Sequence, residues 1–288
     1  MSTTWNKTTI NNLEDVLKKL LCAFALMLLL SVPAHAAETM MLATTTSTAN
    51  TGLLDELIVP QFAKDTGIEI KFVAVGTGKA LKMAENCDVD AVLVHAPAAE
   101  QKYVDAGVLI DRTQLMYNDF VIIGPAADPA KITGKTVAQA LKAIADSKSV
   151  FASRGDNSGT NKKEISLWKE AEMAVPDAQE WYVQTGQGMI STINIAAEKN
   201  AYTMTDRGTY IKYEANHNGN APLKILVEGE KTLFNQYSAL AVNPEKCPKV
   251  KYELATKFIN WMASPATQKA IGQFKLLGKV LFTPNAAK

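Results

Sequence analysis

YNDFVIIGP (Tyr117–Pro125) and FNQYSALAVNP (Phe234–Pro244) carry the reading of the fold. Each runs aromatic-Asn-polar-aromatic, continues through small or apolar residues, and reaches a proline. The apolar run reads as a buried strand, and proline closes it because it has no N–H for a ladder. Two matched strands that bracket a long block predict a chain that leaves one lobe and later returns to it.

The flanks fit that plan. TMMLATTTS (Thr39–Ser47) is apolar and then abruptly hydroxylic, a short strand ending in a polar loop. Leu53, Leu54, Leu57 and Ile58 recur at helical spacing; Pro60 interrupts, Phe62 continues the face and Gly67 is placed to end it. IEIKFVAV (Ile68–Val75) reads as a strand, Gly76-Thr77-Gly78 turns into a short helix (Lys79–Glu85), and VDAVLVHA (Val89–Ala96) is a further strand. Strand, helix, strand, helix, strand predicts a parallel sheet with helices on its faces. The bracketed block repeats the pattern with VFAS (Val150–Ser153), a helix after Thr160, a helical stretch Ile190–Lys199 and AYTMT (Ala201–Thr205). A last helix, about Lys251 to Ile271, packs back on the first lobe. The expected fold class is α/β: lobe 1 from 37–118 plus 238–288, lobe 2 from 119–237, and crossovers near 118–124 and 235–242.

Residues 1–36 read as a leader outside this fold. Lys18 and Lys19 precede the uncharged run Leu20–Val32, and Ala34-His35-Ala36 is a small-residue cleavage signal. The run is short of the roughly 20 residues that span a bilayer, so export with cleavage near Ala36 and a periplasmic location are expected. Cys22 begins the apolar run instead of ending it, which argues against a lipid anchor. The whole chain has 30 Lys and Arg against 29 Asp and Glu. Lys7, Lys18, Lys19, Glu14 and Asp15 fall in the leader, so the remainder balances. A neutral protein of this size has no nucleic acid or anionic membrane as its main partner. Cys87 and Cys247 remain; a disulfide and two separate thiols both fit an oxidising compartment. His95 and His217 lack metal-ligand spacing, so no metal is expected.

Three polar loops stand where strands give way to helices: Thr44-Thr45-Thr46-Ser47-Thr48, Gly76-Thr77-Gly78, and Ser153-Arg154-Gly155-Asp156-Asn157-Ser158-Gly159-Thr160. In a parallel sheet that is the carboxyl edge, where ligands bind. Each loop offers hydroxyls and leads into a helix whose first N–H groups lack partners and carry partial positive charge. Arg154 adds a formal charge and a two-pronged donor. Singly, each loop is also a capped turn, and Arg154 can pair with Asp156 instead. Together they point to an oxyanion. Asn161-x-x-Glu164 reads as a capping box, with Ser158 or Thr160 as alternative caps, and makes Glu164 structural. Thr185-Gly186-Gln187-Gly188-Met189 offers a fourth wall. For catalysis, no G-x-S-x-G or P-loop is present, and Gly134-Lys135-Thr136 lacks the upstream glycine. No nucleophile–base pair is visible in the order of residues.

ATTTSTANTGLLDELIVPQF, VAVGTGKAL, DAVLVHAPAAE, MYNDFVIIGP, SRGDNSGT, TGQGM and TMTDRGTY, in this order, resemble the TupA family, the periplasmic substrate-binding proteins of tungstate ABC transporters. The resemblance implies a type II periplasmic binding protein: two α/β lobes, two hinge strands and one oxyanion in the cleft. It implies tungstate, and molybdate with it, as ligand, with an inner-membrane ABC permease as partner and a monomeric, non-enzymatic role. The binding residues it implies are Thr45, Thr46, Ser47, Thr77, Ser153, Arg154, Ser158, Gly159 and Thr160. The family commonly has histidine after the SGT turn, where this chain has Asn161. Phosphate is the nearest competing ligand, and a secreted phosphate-ester hydrolase is the competing class.

Overall fold

The computed structural model describes residues 38–286; the expected leader and its cleavage point lie outside the described residues. β1 (Glu38–Thr45), α1 (Thr46–Asn50), a π-helical turn (Leu54–Ile58), α2 (Val59–Thr66), β2 (Ile68–Val75), α3 (Thr77–Glu85), β3 (Ala91–Val94) and α4 (Pro97–Asp105) lead into the long β4 (Leu109–Pro125). Then come α5 (Val137–Asp146), β5 (Phe151–Ser153), α6 (Gly159–Glu170), β6 (Tyr182–Gln184), α7 (Met189–Glu198), β7 (Tyr202–Asp206), α8 (Arg207–Asn216) and β8 (Leu223–Val227). β9 (Phe234–Val242), α9 (Tyr252–Ala263), α10 (Pro265–Gln273) and three two-residue strands, β10 (Lys275–Leu276), β11 (Lys279–Val280) and β12 (Thr283–Pro284), complete the described chain.

The strands follow the order β2-β1-β3-β9-β4-β7-β5-β6, with β8 and β12 also on β4. β1 is parallel to β2 and β3, and β5 is parallel to β6 and β7, as the alternating pattern requires. β9 runs antiparallel to both β3 and β4. β4 changes partner along its length. It pairs with β9 as far as Asp119↔Phe234, and with β7 from Phe120↔Asp206 onward. The two matched segments are therefore neighbours. Asn118 stands opposite Asn235, and Tyr117 stacks on Phe234 with centroids 4.3 Å apart.

Core packing changes along β4 in the same way. Leu115 and Met116 join a cluster with Leu42, Leu93, Phe62 and Phe258. Phe120 and Ile122 join one built on Phe151, Trp168, Tyr182 and Tyr202. Gly124 is the close approach in that second core: a Cβ there would run into the Tyr202 ring. Ile211 of α8 belongs to the first cluster although its helix follows β7, while Tyr210 and Tyr213 of the same helix join a further cluster with Val121 and Ile123 of β4.

Two sequence expectations need correction. The helix expected over 251–271 is two helices. Ser264 takes extended backbone angles and caps α10 by accepting the Thr267 N–H, and Pro265, which has no N–H, suits the first turn. The helix expected from Leu53 begins as the π-helical turn; Pro60 sits in the first turn of α2, and Gly67, with φ of 73°, ends it.

Cys87 and Cys247 form a disulfide with their Cα atoms 5.5 Å apart, across a sequence separation of 160 residues. It ties the end of α3 to the segment between β9 and α9. Such a long loop restricts the unfolded chain strongly. Replacing both cysteines, Cys87→Ser with Cys247→Ser, is expected to lower the unfolding free energy by about 2–5 kcal/mol, read from urea denaturation of oxidised protein and variant. Equal midpoints would remove the disulfide from the account of stability.

Candidate anion-binding site

The first two polar loops meet at one sheet edge. Thr45↔Val75 is the last pair of the β1–β2 ladder, so the chain leaves both strands at the same level. Thr45 is 3% exposed and caps α1: its Oγ1 accepts the Thr48 N–H at 3.1 Å. Thr46 and Ser47 are exposed. Gly76 caps α3 without a side chain, which leaves the Thr77 and Gly78 amides at a helix start.

β3 brings His95, which the sequence places at the end of a first-lobe strand within reach of the cleft; its partners there were not legible. His95 follows Val94 at that edge, with Nε2 3.0 Å from Thr45 Oγ1 and 3.1 Å from Ser47 Oγ. Its Nδ1 lies 2.9 Å from Asn235 Oδ1, and Asn235 Nδ2 donates to Asn118 Oδ1 at 2.8 Å. The ring stacks on Tyr237 with centroids 4.7 Å apart. The next residue is held too: buried Glu100 accepts the Ala96 N–H at 2.7 Å and pairs with Arg112 at 2.9 Å. Burial lowers the His95 pKa despite the bond it donates to Asn235 and the nearby Asp206 carboxylate, which favours the neutral ring. A base beside a hydroxyl, absent from the reading of the sequence, is thus present in space.

The second-lobe loops gather in the same manner. Ser153 ends β5, and Ser158 caps α6 by accepting the Asn161 N–H at 3.3 Å. That settles the cap among the alternatives, and Glu164 serves elsewhere. Its buried carboxylate accepts from Ser153 Oγ, from Trp168 Nε1 at 2.9 Å and from Tyr182 OH at 2.6 Å. Burial pushes the Glu164 carboxyl above its usual pKa, and these donors limit the rise. Ser153 is 1% exposed and its hydroxyl proton goes to Glu164. Its oxygen accepts from Gly155 N–H at 3.3 Å and Asn161 Nδ2 at 3.2 Å. Ser153 therefore shapes the loop from inside.

Arg154 does pair with Asp156. Asp156 also accepts the Ser158 N–H at 3.1 Å. Partial burial works against that carboxylate, but the bonds from Ser158 and Arg154 outweigh it and hold its pKa below the ordinary value. Arg154 Nε is buried with no hydrogen-bond partner. A buried donor left unmade costs about 1–3 kcal/mol, so this one calls for an acceptor. The TGQG turn lies alongside: Thr185 N–H bonds the Ser153 carbonyl at 2.9 Å and Gly186 N–H the Arg154 carbonyl at 2.8 Å. Gly155, with φ of 60°, passes so near that a Cβ would stand 2.8 Å from that of Gln184. Gly188 then caps α7, again without a side chain.

Between the two groups of loops stand Asn118, Asn235 and Asp206. Asp206 caps α8, and its two oxygens take the Thr209 N–H at 2.8 Å and the Thr209 hydroxyl at 2.6 Å. Lys212 of α8 reaches the Asn50 carbonyl at the end of α1. Among the described residues no group of three or more His, Cys, Asp or Glu is placed to hold a metal ion.

The fold and these loops match known proteins. Residues 32–266 match the PBP superfamily domain. A protein named tungstate-binding protein TupA, from Campylobacter jejuni, is 50% identical over 83% of this chain and 88% of its own length. This chain belongs to the TupA family. The solved structure of tungstate-binding TupA from Desulfovibrio alaskensis G20 is 72% identical, covers 87% of this chain and 100% of its own, and superposes with a TM-score of 0.85. The structure described as the tungstate ABC transporter from Geobacter sulfurreducens is 46% identical over 83% of this chain and all of its own, with a TM-score of 0.73. The architecture of this TupA-family protein is that of a type II periplasmic binding protein, with α/β lobes and strands that cross between them.

Proposed function

We propose that this protein captures tungstate, and molybdate with it, in the cleft between its lobes and delivers the anion to the permease of an ABC importer in the inner membrane. Export to the periplasm, with cleavage near Ala36, belongs to the same reading. The lobes are read as 37–118 with 238–288, and 119–237. The observation that carries the proposal is Arg154: a buried guanidinium nitrogen without an acceptor, beside the start of α6, where the Ser158 side chain takes only the Asn161 N–H, and the start of α7, which has no side-chain cap. Thr45, Thr46, Ser47 and Thr77 supply donors from one side; Arg154, Ser158, Gly159 and Thr160 supply them from the other. Ser153 acts by placing Arg154.

The carboxylates decide between oxyanions. Phosphate keeps a proton near pH 7 and gains from a free acceptor, whereas tungstate is a dianion that a free carboxylate repels. Asp156 is occupied by Arg154 and Ser158, and both oxygens of Asp206 are occupied by Thr209. The site favours the fully ionised anion. Isothermal titration with tungstate, molybdate and phosphate tests this. One-to-one binding of the first two with phosphate silent is expected; tight phosphate with weak tungstate would reverse the assignment.

A second reading rests on Ser47, His95 and Asn235, which stand as hydroxyl, base and orienting group. It makes the chain a phosphate-ester hydrolase. His95 is shared between two hydroxyls, and Ser47 Oγ also lies 3.0 Å from Thr45 Oγ1, which suits a binding loop better than a nucleophile. Turnover of a chromogenic phosphate ester, lost in Ser47→Ala, would favour the hydrolase; no turnover is expected.

A further inference from the structure

His95 poses a contradiction in a cleft built to donate. Asn235 Nδ2 is committed to Asn118 Oδ1, so Asn235 turns its carbonyl oxygen to the ring. Nδ1 therefore carries the hydrogen. A neutral ring then leaves Nε2 as a bare acceptor. That acceptor stands within 3.1 Å of the Thr45 and Ser47 hydroxyls, which have one proton each. Thr45 Oγ1 is further engaged by the Thr48 N–H and lies 2.6 Å from Thr48 Oγ1. In this arrangement the ring takes a hydroxyl proton that an oxyanion would need.

We propose that His95 reverses its part when the anion is held: it gains one proton at Nε2 and donates to Thr45 and Ser47, which turns their hydroxyl protons to the anion. This rests on the reading of the cleft as an oxyanion site. The step balances simply. Solvent supplies one H⁺, an Nε2–H bond forms, the hydroxyls rotate without breaking a bond, and the added positive charge stands beside a dianion. Binding and protonation then favour each other, since each makes the other's electrostatic cost smaller. The groups facing the ring are Asn235, Tyr237 and the Asp206 carboxylate, which also favours the imidazolium. Asn118 and Asn235 lie on the two crossover strands, so the ring's orientation is tied to the place where β4 and β9 run side by side.

The sign follows directly. The bound state holds the proton more tightly than the empty state, so affinity for tungstate rises as pH falls from the bound-state pKa to the empty-state pKa. The rise is at most about tenfold per pH unit for one proton. The test is titration of the protein with sodium tungstate at pH 7.5 in two buffers of different ionisation enthalpy. Uptake of up to one proton is expected, and its loss in His95→Gln, which keeps a polar side chain at this position. Heat that is independent of buffer, or uptake that persists in His95→Gln, overturns the proposal. Absence of any tungstate heat would instead remove the oxyanion site itself. Because His95→Gln can disturb the fold, the unaltered protein gives a second reading through ¹⁵N-histidine NMR. On adding tungstate the His95 nitrogens should pass from one protonated and one bare to both protonated; an unchanged pattern overturns the proposal equally.

Discussion

Arg154→Ala is expected to weaken tungstate binding by about 2–5 kcal/mol, as removal of one partner from a buried charge pair does. That is a loss of roughly 30- to 5,000-fold in affinity. The guanidinium is the formal positive charge of the third loop, and its Nε has no acceptor of its own. Its backbone carbonyl still receives the Gly186 N–H in the variant, so the loop keeps its tie to the neighbouring turn. Arg154→Lys should fall between the two, because an ammonium keeps the charge without the planar fork. Titration calorimetry of the three proteins checks the series. An affinity in Arg154→Ala within about twofold of the parent would move the site away from this loop.

Glu164→Ala is expected to destabilise the fold by about 2–4 kcal/mol. The carboxylate gathers Ser153, Trp168 and Tyr182 in the second core, and its loss leaves buried donors without an acceptor at about 1–3 kcal/mol each. Relief from burying the carboxylate offsets part of this, and Glu164→Gln should cost less. The pH dependence has a definite sign. The folded-state pKa of Glu164 is raised, chiefly by burial, so its contribution is fully present below the unfolded pKa and is lost as pH rises through the folded one. The advantage of the native chain over Glu164→Gln should therefore grow as pH falls through that window. Urea denaturation followed by tryptophan fluorescence measures both effects, and a Glu164→Ala midpoint equal to the parent's would show that Ser153 and its loop are held by something else.

These two residues mark where the sequence was legible and where it stopped being so. Strand–helix alternation is a local signal, and the parallel pairs β1–β2, β1–β3, β5–β6 and β5–β7 follow from it. The repeated aromatic-Asn-polar-aromatic motif located the strands that run together between the lobes, because both copies present the same faces to each other. Loops at strand ends were legible for the same reason, since hydroxyls and glycines cluster where helices begin. What failed was long range or read in the wrong direction. His95 meets Asn235 across 140 residues, and no spacing announces that. Glu164 was read toward the helix cap, yet it turns inward to Ser153, as a buried carboxylate must when donors are at hand. The break at Ser264-Pro265 was hidden by an apolar period that continues across it, although the serine-proline pair was its local mark. Pairing of Cys87 with Cys247 stayed open because two cysteines alone carry no information on their distance in space.

The central claim is that one oxyanion is held from both lobes at once. A crystal structure of the protein soaked or grown with sodium tungstate tests it most directly, because tungsten scatters anomalously and its position needs no interpretation of shape. The expected result is a single tungsten peak whose oxygens lie within hydrogen-bond distance of the Thr45–Ser47 loop and of Arg154 with the Ser158–Thr160 turn. A peak bound by one lobe alone, or one seated away from both loops, would contradict the account.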